Sequence, residues 1–157
     1  MKTLPKIASF SVDHRYILPG IYISRLDGDI TTYDLRHRAP NGGDYIDPLT
    51  AHSLEHMVAT HIRAGKIGGS VIYYGPMGCA TGFYLLVRNA DHCAVFSALK
   101  EALRATLSGV EMFGCDEREC GNFRLLDLTS AKREAALYLT ILEGVGEQPS
   151  FEYNTGG

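Results

Sequence analysis

The strongest helix signal of this chain lies in the stretch Asp47-Pro48-Leu49-Thr50-Ala51-His52-Ser53-Leu54-Glu55-His56. Aspartate is a preferred N-cap residue and proline is preferred at the first helical position. The pattern therefore predicts a helix that starts at Asp47-Pro48 and stops at Gly65. Apolar residues at helical spacing predict the face that packs on the core, and they are Ala51, Leu54, Val58 and Ile62.

The opposite face of this helix carries two histidines. At about 100° per residue, His52 and His56 are about 40° apart around the helix axis, so both imidazoles can reach one metal ion. Glu55 is a near neighbour of both and can exchange protons beside such an ion, and Arg63 follows on the same face. Paired histidines on a helix are more often solvated or hydrogen-bonded than metal-bound. The H-x-x-E-H order, however, is the pattern of inverzincin metal sites, and it indicates a candidate metal site.

A catalytic metal site usually takes three protein ligands and leaves one position open, so a third ligand is expected elsewhere in the chain. Cys120 is the strongest candidate, because it follows a charged, turn-like segment and precedes Gly121. Cys115 competes with it on the same grounds. Cys93 belongs to the apolar stripe of a later helix and is expected in the core.

Cys79 follows the segment Gly75-Pro76-Met77-Gly78, in which proline at the second position and glycine at the fourth predict a type I turn. Small residues flank this cysteine, so a ligand can approach the backbone closely. A thiolate at such a turn can act as a nucleophile or general base. The competing interpretation is a small cysteine buried between two strands.

The rest of the chain predicts two strand pairs and two more helices. Runs of β-forming residues separated by turn signals predict strands at 21–26, 30–36, 70–74 and 82–87. Helical periodicity predicts helices at 91–108 and 129–143. This arrangement is typical of the α+β class, with an antiparallel β-sheet covered by helices on one face. Residues 1–146 are expected to form a single domain, and residues 147–157 an irregular C-terminal tail.

The composition limits the function. A length of 157 residues suits one domain, and a net charge of −3 argues against a protein that binds nucleic acid through a basic surface. No stretch reaches the roughly 20 apolar residues of a membrane-spanning helix. The first residues contain no apolar segment typical of a secretion signal, so a cytoplasmic location is expected. The four cysteines form no C-x-x-C pair, which argues against a zinc ribbon or a thioredoxin-like site.

Five motifs together resemble the S-ribosylhomocysteine lyase (LuxS) family over nearly the whole chain. H-x-x-E-H alone also occurs in unrelated metallopeptidases, but its combination with Pro-Met-Gly-Cys and a late Cys-Gly is specific. In chain order the motifs are Ser9-Phe10-x-x-Asp13-His14, Tyr33-Asp34-Leu35-Arg36, His52-Ser53-Leu54-Glu55-His56, Pro76-Met77-Gly78-Cys79-x-Thr81-Gly82-Phe83-Tyr84 and Glu119-Cys120-Gly121-Asn122.

The resemblance implies one divalent metal ion per subunit, Fe²⁺ in the cell, with Zn²⁺ or Co²⁺ as substitutes. A site of two histidines and one thiolate is compatible with all three ions. The resemblance also implies a homodimer whose active site lies at the subunit interface. The metal ligands that it implies are His52, His56 and Cys120.

The family resemblance also implies the reaction and the residues around the substrate. The expected reaction is the cleavage of S-ribosylhomocysteine to homocysteine and 4,5-dihydroxy-2,3-pentanedione, the precursor of autoinducer-2. It proceeds by metal-assisted enolisation, carbonyl migration and β-elimination, and it serves quorum sensing or methionine recycling. The implied acid–base pair is Cys79 and Glu55. The implied substrate-binding residues are Ser9, His14, Arg36 and Arg63.

The chain departs from common members of the family near the substrate motifs. Tyr73, Gly75 and Ala80 replace an aspartate, a serine and an arginine or glutamine, and His37-Arg38-Ala39-Pro40 replaces Phe-x-Gln-Pro. These departures leave the metal and acid–base motifs intact. Two other interpretations stay open: a small metallohydrolase in which Glu55 activates water, and a non-enzymatic metal-binding module.

Overall fold

The computed structural model describes residues 3–154. Residues 155–157 of the predicted tail lie outside the described residues. The described part of the chain contains the strands β1 (Gly20–Asp27), β2 (Ile30–Arg36), β3 (Val71–Pro76) and β4 (Gly82–Arg88). It also contains the helices α1 (Ala8–Ser11), α2 (Pro48–Ala64), α3 (His92–Leu107) and α4 (Leu128–Gly144).

The four strands form one antiparallel sheet in the order β1-β2-β4-β3. Side chains alternate between its two faces because the side-chain period of a strand is two residues. On one face, Tyr33, Leu35 and Phe83 are fully buried in the core that the three long helices share. The other face carries Asp34 and Arg36. The structure thereby confirms the predicted α+β class with a single antiparallel sheet.

An aspartate side chain caps the N-terminus of each of the three long helices. Asp47 accepts a hydrogen bond from the Thr50 backbone N–H at 3.0 Å, and Asp91 and Asp127 cap α3 and α4 in the same way. Each such cap satisfies an N–H that has no partner within its helix. The helix that sequence analysis predicts from Asp47-Pro48 to Gly65 is confirmed, with Gly65 at its C-cap.

Cys93 is exposed, so the expectation that it lies in the core is wrong. The buried stripe of α3 begins with Val95 and Phe96 and continues through Leu99 and Leu103. Cys93 precedes this stripe in the first turn of α3, where its helical position turns it toward solvent.

The predicted type I turn at Gly75-Pro76-Met77-Gly78 is also wrong in its position. Pro76 still belongs to β3 and pairs with Phe83 of β4. The turn lies further on, where the Ala80 N–H donates to the Met77 carbonyl at 3.0 Å. β3 is an edge strand, and an edge strand tolerates a proline that cannot donate to the ladder. Cys79 therefore lies inside this turn rather than after it.

Residues 147–154 contain no helix or strand, yet their backbone is anchored to the sheet. Phe151 is buried in the core, and its carbonyl accepts a hydrogen bond from the Ile23 N–H at 2.8 Å. This hydrogen bond holds the segment around Phe151 against β1. In residues 3–154, no helix is both long and apolar enough to cross a membrane.

Candidate metal centre and catalytic site

Helix α2 presents His52 and His56 with their rings 4.6 Å apart, centroid to centroid, and nearly perpendicular. His52 Nδ1 lies 2.7 Å from the Leu125 carbonyl, and His56 Nδ1 lies 2.9 Å from the Phe113 carbonyl. A carbonyl oxygen can only accept, so each Nδ1 must carry the proton of the ring. In the neutral rings, each Nε2 atom therefore carries the lone pair that a metal-ligating histidine uses.

The loop between α3 and α4 supplies these carbonyls and a thiol. Asp116 organises it: the carboxylate accepts from the Arg118 and Glu119 N–H groups, and the Asp116 carbonyl accepts from the Cys120 N–H at 3.1 Å. Ser53 of α2 then fixes the far end of the loop by accepting from the Asp127 N–H at 2.7 Å. The loop is thereby held against the histidine face of α2.

Gly114 allows the loop backbone to come close to His56. A Cβ at this position would lie 2.8 Å from His56 Nδ1, and the residue has a φ of +63°. Both properties favour glycine, because only glycine adopts this conformation without a steric penalty. The Phe113 carbonyl can therefore reach the imidazole.

Cys120 completes a three-donor cluster with the histidines. Its Sγ lies 3.4 Å from His52 Nε2, and the three donor atoms all lie within 4.8 Å of one another. Ligand atoms bound tetrahedrally at about 2.0–2.3 Å are about 3.5 Å apart, so this cluster could hold one ion. The competing Cys115 is exposed, and its Sγ faces the Phe123 carbonyl at 3.8 Å instead.

Glu55 lies beside this cluster at the edge of a cavity of about 510 Å³. His56, Phe113 and Glu119 also line the cavity. Burial raises the pKa of the Glu55 carboxyl, while the nearby histidines act in the opposite sense. A raised pKa favours the protonated form of the carboxyl, which is the direction that a group acting as a general acid needs.

Cys79 belongs to a second cluster, on the other face of the sheet. It lines a cavity of about 90 Å³ together with His14, Arg36 and Tyr45. The thiol is exposed, and its Sγ lies 3.0 Å from Thr81 Oγ1. The competing interpretation of a buried cysteine between two strands is therefore wrong.

Arg36 is the buried charge of this second cluster. It forms a two-pronged ion pair with Asp34, and its Nη1 donates to Thr81 Oγ1 at 2.8 Å. His14 and Arg36 also line an adjoining space in which Ser9 lies. Three of the four expected substrate-site residues are thereby brought together.

Arg63 lies apart from these side chains. It is exposed, and its guanidinium points toward the Val71 and Ile72 carbonyls of β3 at 3.4 Å. It does not line either of the cavities that contain Glu55 and Cys79.

Three further polar residues belong to the Arg36 cluster, although no role was predicted for them from the sequence. They are Asp34, Thr81 and Tyr153. Asp34 and Arg36 are two residues apart on β2, so their shared face could have been deduced from the strand period. Thr81 stands within the cysteine motif, but its role needs the Arg36 contact. Tyr153 donates from its hydroxyl to Asp34 Oδ2 at 2.6 Å, and no sequence pattern signals a contact between residues so distant in the chain.

Comparison with known proteins finds relatives over nearly the whole chain. The family described as S-Ribosylhomocysteinase (LuxS) matches residues 7–148. The S-ribosylhomocysteine lyase of Desulfotalea psychrophila is 39% identical, over 92% of this chain and 96% of its own length. The lyases of Phocaeicola vulgatus and Borreliella afzelii are 40% and 36% identical, over 88% and 92% of this chain and 89% and 97% of their own lengths. The chain therefore belongs to the S-ribosylhomocysteinase (LuxS) family.

Proposed function

We propose that this protein is a carbon–sulfur lyase that cleaves S-ribosylhomocysteine to homocysteine and 4,5-dihydroxy-2,3-pentanedione, the autoinducer-2 precursor. The observation that carries the proposal is the convergence of His52 Nε2, His56 Nε2 and Cys120 Sγ, with Glu55 beside them. Family membership supports the choice of substrate.

The three donors suit one divalent ion per subunit, Fe²⁺ in the cell and Zn²⁺ or Co²⁺ as replacements. Bound there, such an ion would supply Lewis-acid polarisation of the carbonyl of the opened sugar. The hydrogen bonds from both Nδ1 atoms to carbonyls fix the ring orientations, so His52 and His56 need no rearrangement on binding.

Cys79 acts as the base that moves the carbonyl along the sugar. Its thiolate removes the proton from C2 of the open-chain ribose and a proton returns to C1, which shifts the carbonyl from C1 to C2. The same exchange between C3 and C2 shifts it to C3. Each C–H is acidic only because it adjoins a carbonyl, so the steps must occur in this order.

Glu55 completes the reaction by handling protons on the oxygens and in the elimination. With the carbonyl at C3, loss of the C4 proton expels homocysteine from C5, and the resulting enol takes up a proton to give the diketone. A carboxyl whose pKa is raised by burial suits this exchange. No water attacks the substrate, which separates this chemistry from hydrolysis.

The proposed substrate-binding residues are Ser9, His14 and Arg36 around Cys79, and Arg63, which lies apart from them at the edge of β3. Arg36 supplies a fixed positive charge, because Asp34 orients its guanidinium in a buried pair. The proposed catalytic domain spans residues 1–146, which contain all of these side chains. The expected cytoplasmic location belongs to the same proposal.

The proposed enzyme is a homodimer whose active site lies between subunits. Two features support this: Glu55 and Cys79 line different cavities, and apolar side chains are exposed on and near the open face of the sheet. Among the exposed side chains are Ile7, Phe10 and Leu18. A second subunit that packs on these exposed side chains would cover them. The same subunit would bring its own residues to the active site.

Complementation tests the shared site. Mixing the Cys79→Ala and Glu55→Gln variants after dissociation and reassociation creates mixed dimers. If one subunit supplies Glu55 and its partner supplies Cys79, the mixture regains activity that neither variant has alone. A monomer in sedimentation, or no regained activity in mixed dimers, would contradict the shared site.

The lyase itself is tested by anaerobic incubation of metal-loaded protein with S-ribosylhomocysteine while free thiol is measured. We expect homocysteine release by the unmodified protein, its loss in Cys79→Ala, and its retention in Cys93→Ala, which removes another exposed thiol. Full activity of Cys79→Ala would favour a metallohydrolase. No thiol release by the unmodified protein would overturn the proposed function.

A further inference from the structure

The C-terminal segment brings Tyr153 to the open face of the sheet. Phe151 anchors the segment, because its side chain is buried in the core and its carbonyl accepts from the Ile23 N–H. Phe151 has a φ of +61°, a conformation that a non-glycine residue adopts only when its surroundings enforce it. Two residues later, the Tyr153 ring stacks on Tyr22 with centroids 4.8 Å apart.

At this position the Tyr153 hydroxyl reaches the buried ion pair of β2. It lies 2.6 Å from Asp34 Oδ2, the same oxygen that accepts from Arg36 Nη2 at 2.6 Å. Asp34 Oδ1 accepts from Arg36 Nε at 3.0 Å. Both side chains of the pair are almost completely buried, so water cannot readily replace a lost donor.

The direction of the hydrogen bonds follows from the chemistry of each group. Burial, followed by the Asp34 carboxylate, raises the pKa of Tyr153 well above that of a free phenol, so the hydroxyl stays protonated and donates. Arg36 can only donate, both to Asp34 and through Nη1 to Thr81 Oγ1. When the Cys79 thiol is ionised, the Thr81 hydroxyl must donate to the sulfur 3.0 Å away.

A continuous series of four contacts therefore joins the end of the chain to the thiol: Tyr153 to Asp34, Asp34 to Arg36, Arg36 to Thr81 and Thr81 to Cys79. We propose that Tyr153 is a positioning residue for the lyase reaction, which locks the Asp34–Arg36 pair and thereby directs the Thr81 hydroxyl toward the Cys79 sulfur. This inference rests on the proposed function, in which Cys79 is the base. It assigns a role to a segment that lies beyond the proposed catalytic domain.

Tyr153→Phe tests the inference, because it removes one hydroxyl and keeps the ring that stacks on Tyr22. Tyr22→Phe is the matched control: it removes a neighbouring hydroxyl that donates to the Leu18 carbonyl rather than to Asp34. Two quantities are measured. One is kcat/KM for S-ribosylhomocysteine, and the other is the rate at which iodoacetamide alkylates Cys79 at pH 7, followed by peptide mass spectrometry. The exposed Cys93 serves as the internal reference for alkylation.

We expect Tyr153→Phe to slow alkylation of Cys79 at least threefold and to lower kcat/KM about tenfold, because small misplacements of reacting groups have large effects on rate. Tyr22→Phe should change neither quantity more than twofold. Thermal melting of both variants should remain close to that of the unmodified protein. In a Thr81→Val background, Tyr153→Phe should no longer affect alkylation, because the hydroxyl that transmits the effect is absent.

Equal alkylation rates in Tyr153→Phe and Tyr22→Phe would overturn the inference. An effect of Tyr153→Phe that persists unchanged in the Thr81→Val background would overturn it as well, because the effect would then not pass through Thr81. If the unmodified protein releases no homocysteine, the proposed function fails. The alkylation rates then still decide whether Tyr153 acts on the thiol.

Discussion

His52 Nε2 and Cys120 Sγ lie 3.4 Å apart although 68 positions separate them in the chain. The carbonyls of Leu125 and Phe113 orient the two histidines, and Asp116 shapes the loop that carries the thiol. The donor atoms are thus held by hydrogen bonds that involve no metal. A centre arranged in this way could hold an ion without reorganising the chain.

Replacing the thiol ligand should weaken metal binding. We expect Cys120→Ser to lower metal affinity by more than about 100-fold, since changes in the outer shell alone lower it about 10–100-fold. Cys115→Ser removes an exposed thiol from the same loop and should leave affinity unchanged. The metal affinity of the two variants is compared by measuring their metal content after dialysis against a series of chelators. Equal losses in the two variants would contradict the assignment of Cys120.

A methyl group added at Gly114 should disturb the centre without touching a ligand. Gly114→Ala places a Cβ 2.8 Å from His56 Nδ1 at a residue with φ +63°, so the Phe113 carbonyl must move away from the imidazole. We expect metal affinity to fall about 10–100-fold. Gly121→Ala, which has open space around its Cβ, should keep the affinity of the unmodified protein. Titration with Co²⁺ followed by absorbance distinguishes them, and an unaffected Gly114→Ala would contradict the role of the Phe113 carbonyl.

Loss of the acid–base carboxyl should slow catalysis but preserve the metal. Glu55→Gln should lower kcat about 10²–10⁴-fold, the usual contribution of a general acid–base group. Glu119→Gln changes a second carboxylate at the same cavity and should have a much smaller effect. Initial rates at matched metal content give the comparison. A Glu119→Gln variant as slow as Glu55→Gln would count against the assignment.

A buried network on the helical side of the sheet should make stability depend on pH. The His37 ring stacks on Tyr138 at 3.8 Å, and its Nδ1 lies 2.6 Å from Glu134 Oε2. Arg38 donates to both oxygens of Glu134 at 2.7 and 2.8 Å. Burial raises the pKa of Glu134, but these hydrogen bonds outweigh it and lower the pKa from 4.5 to about 2. Burial also lowers the pKa of His37.

The lowered pKa values of Glu134 and His37 affect stability in the same direction. A lowered pKa in the folded state means that the unfolded chain binds protons first, so acid favours unfolding. The contribution of Glu134 is complete above pH 4.5 and is lost as the pH falls toward about 2. Glu134→Gln should lower the free energy of unfolding at pH 7 by about 1.5–3 kcal/mol, the value of a hydrogen bond to a charged group. It should also flatten the pH dependence below pH 4.5.

Urea unfolding followed by circular dichroism between pH 3 and pH 7 measures this effect. Glu143→Gln on the same helix is the control, since Glu143 pairs with Arg104 at the surface over 3.6 Å. Exposed pairs contribute less than about 1 kcal/mol, so this variant should follow the unmodified protein. Parallel profiles for the unmodified protein and Glu134→Gln would contradict the network.

Local signals in the sequence predict the elements well. The aspartate cap at Asp47 and the glycine at Gly65 mark helix ends through hydrogen bonds within a few residues, and the structure bears them out. The prediction for Cys93 was wrong because the buried face of α3 is centred on Val95, Phe96, Leu99 and Leu103, and Cys93 lies to one side of it. The turn after β3 was misplaced because pairing with β4 extends the strand through Pro76.

Contacts between distant elements set the limit of sequence reasoning. The choice between Cys120 and Cys115 depends on the loop that Asp116 organises, and both cysteines share similar local sequence. The Tyr153 contact depends on the path of the chain after α4, to which no periodic pattern applies. The Glu134 network joins α4 to the end of β2, and neither segment reveals the other.

The most direct measurement of the central claim is a product analysis in deuterium oxide. Metal-loaded protein is incubated anaerobically with S-ribosylhomocysteine, and the products are identified by mass spectrometry. Enolisation and β-elimination predict homocysteine together with a five-carbon dihydroxydiketone that carries at least one carbon-bound deuterium. Release of unlabelled ribose, or no release of homocysteine, would contradict the lyase.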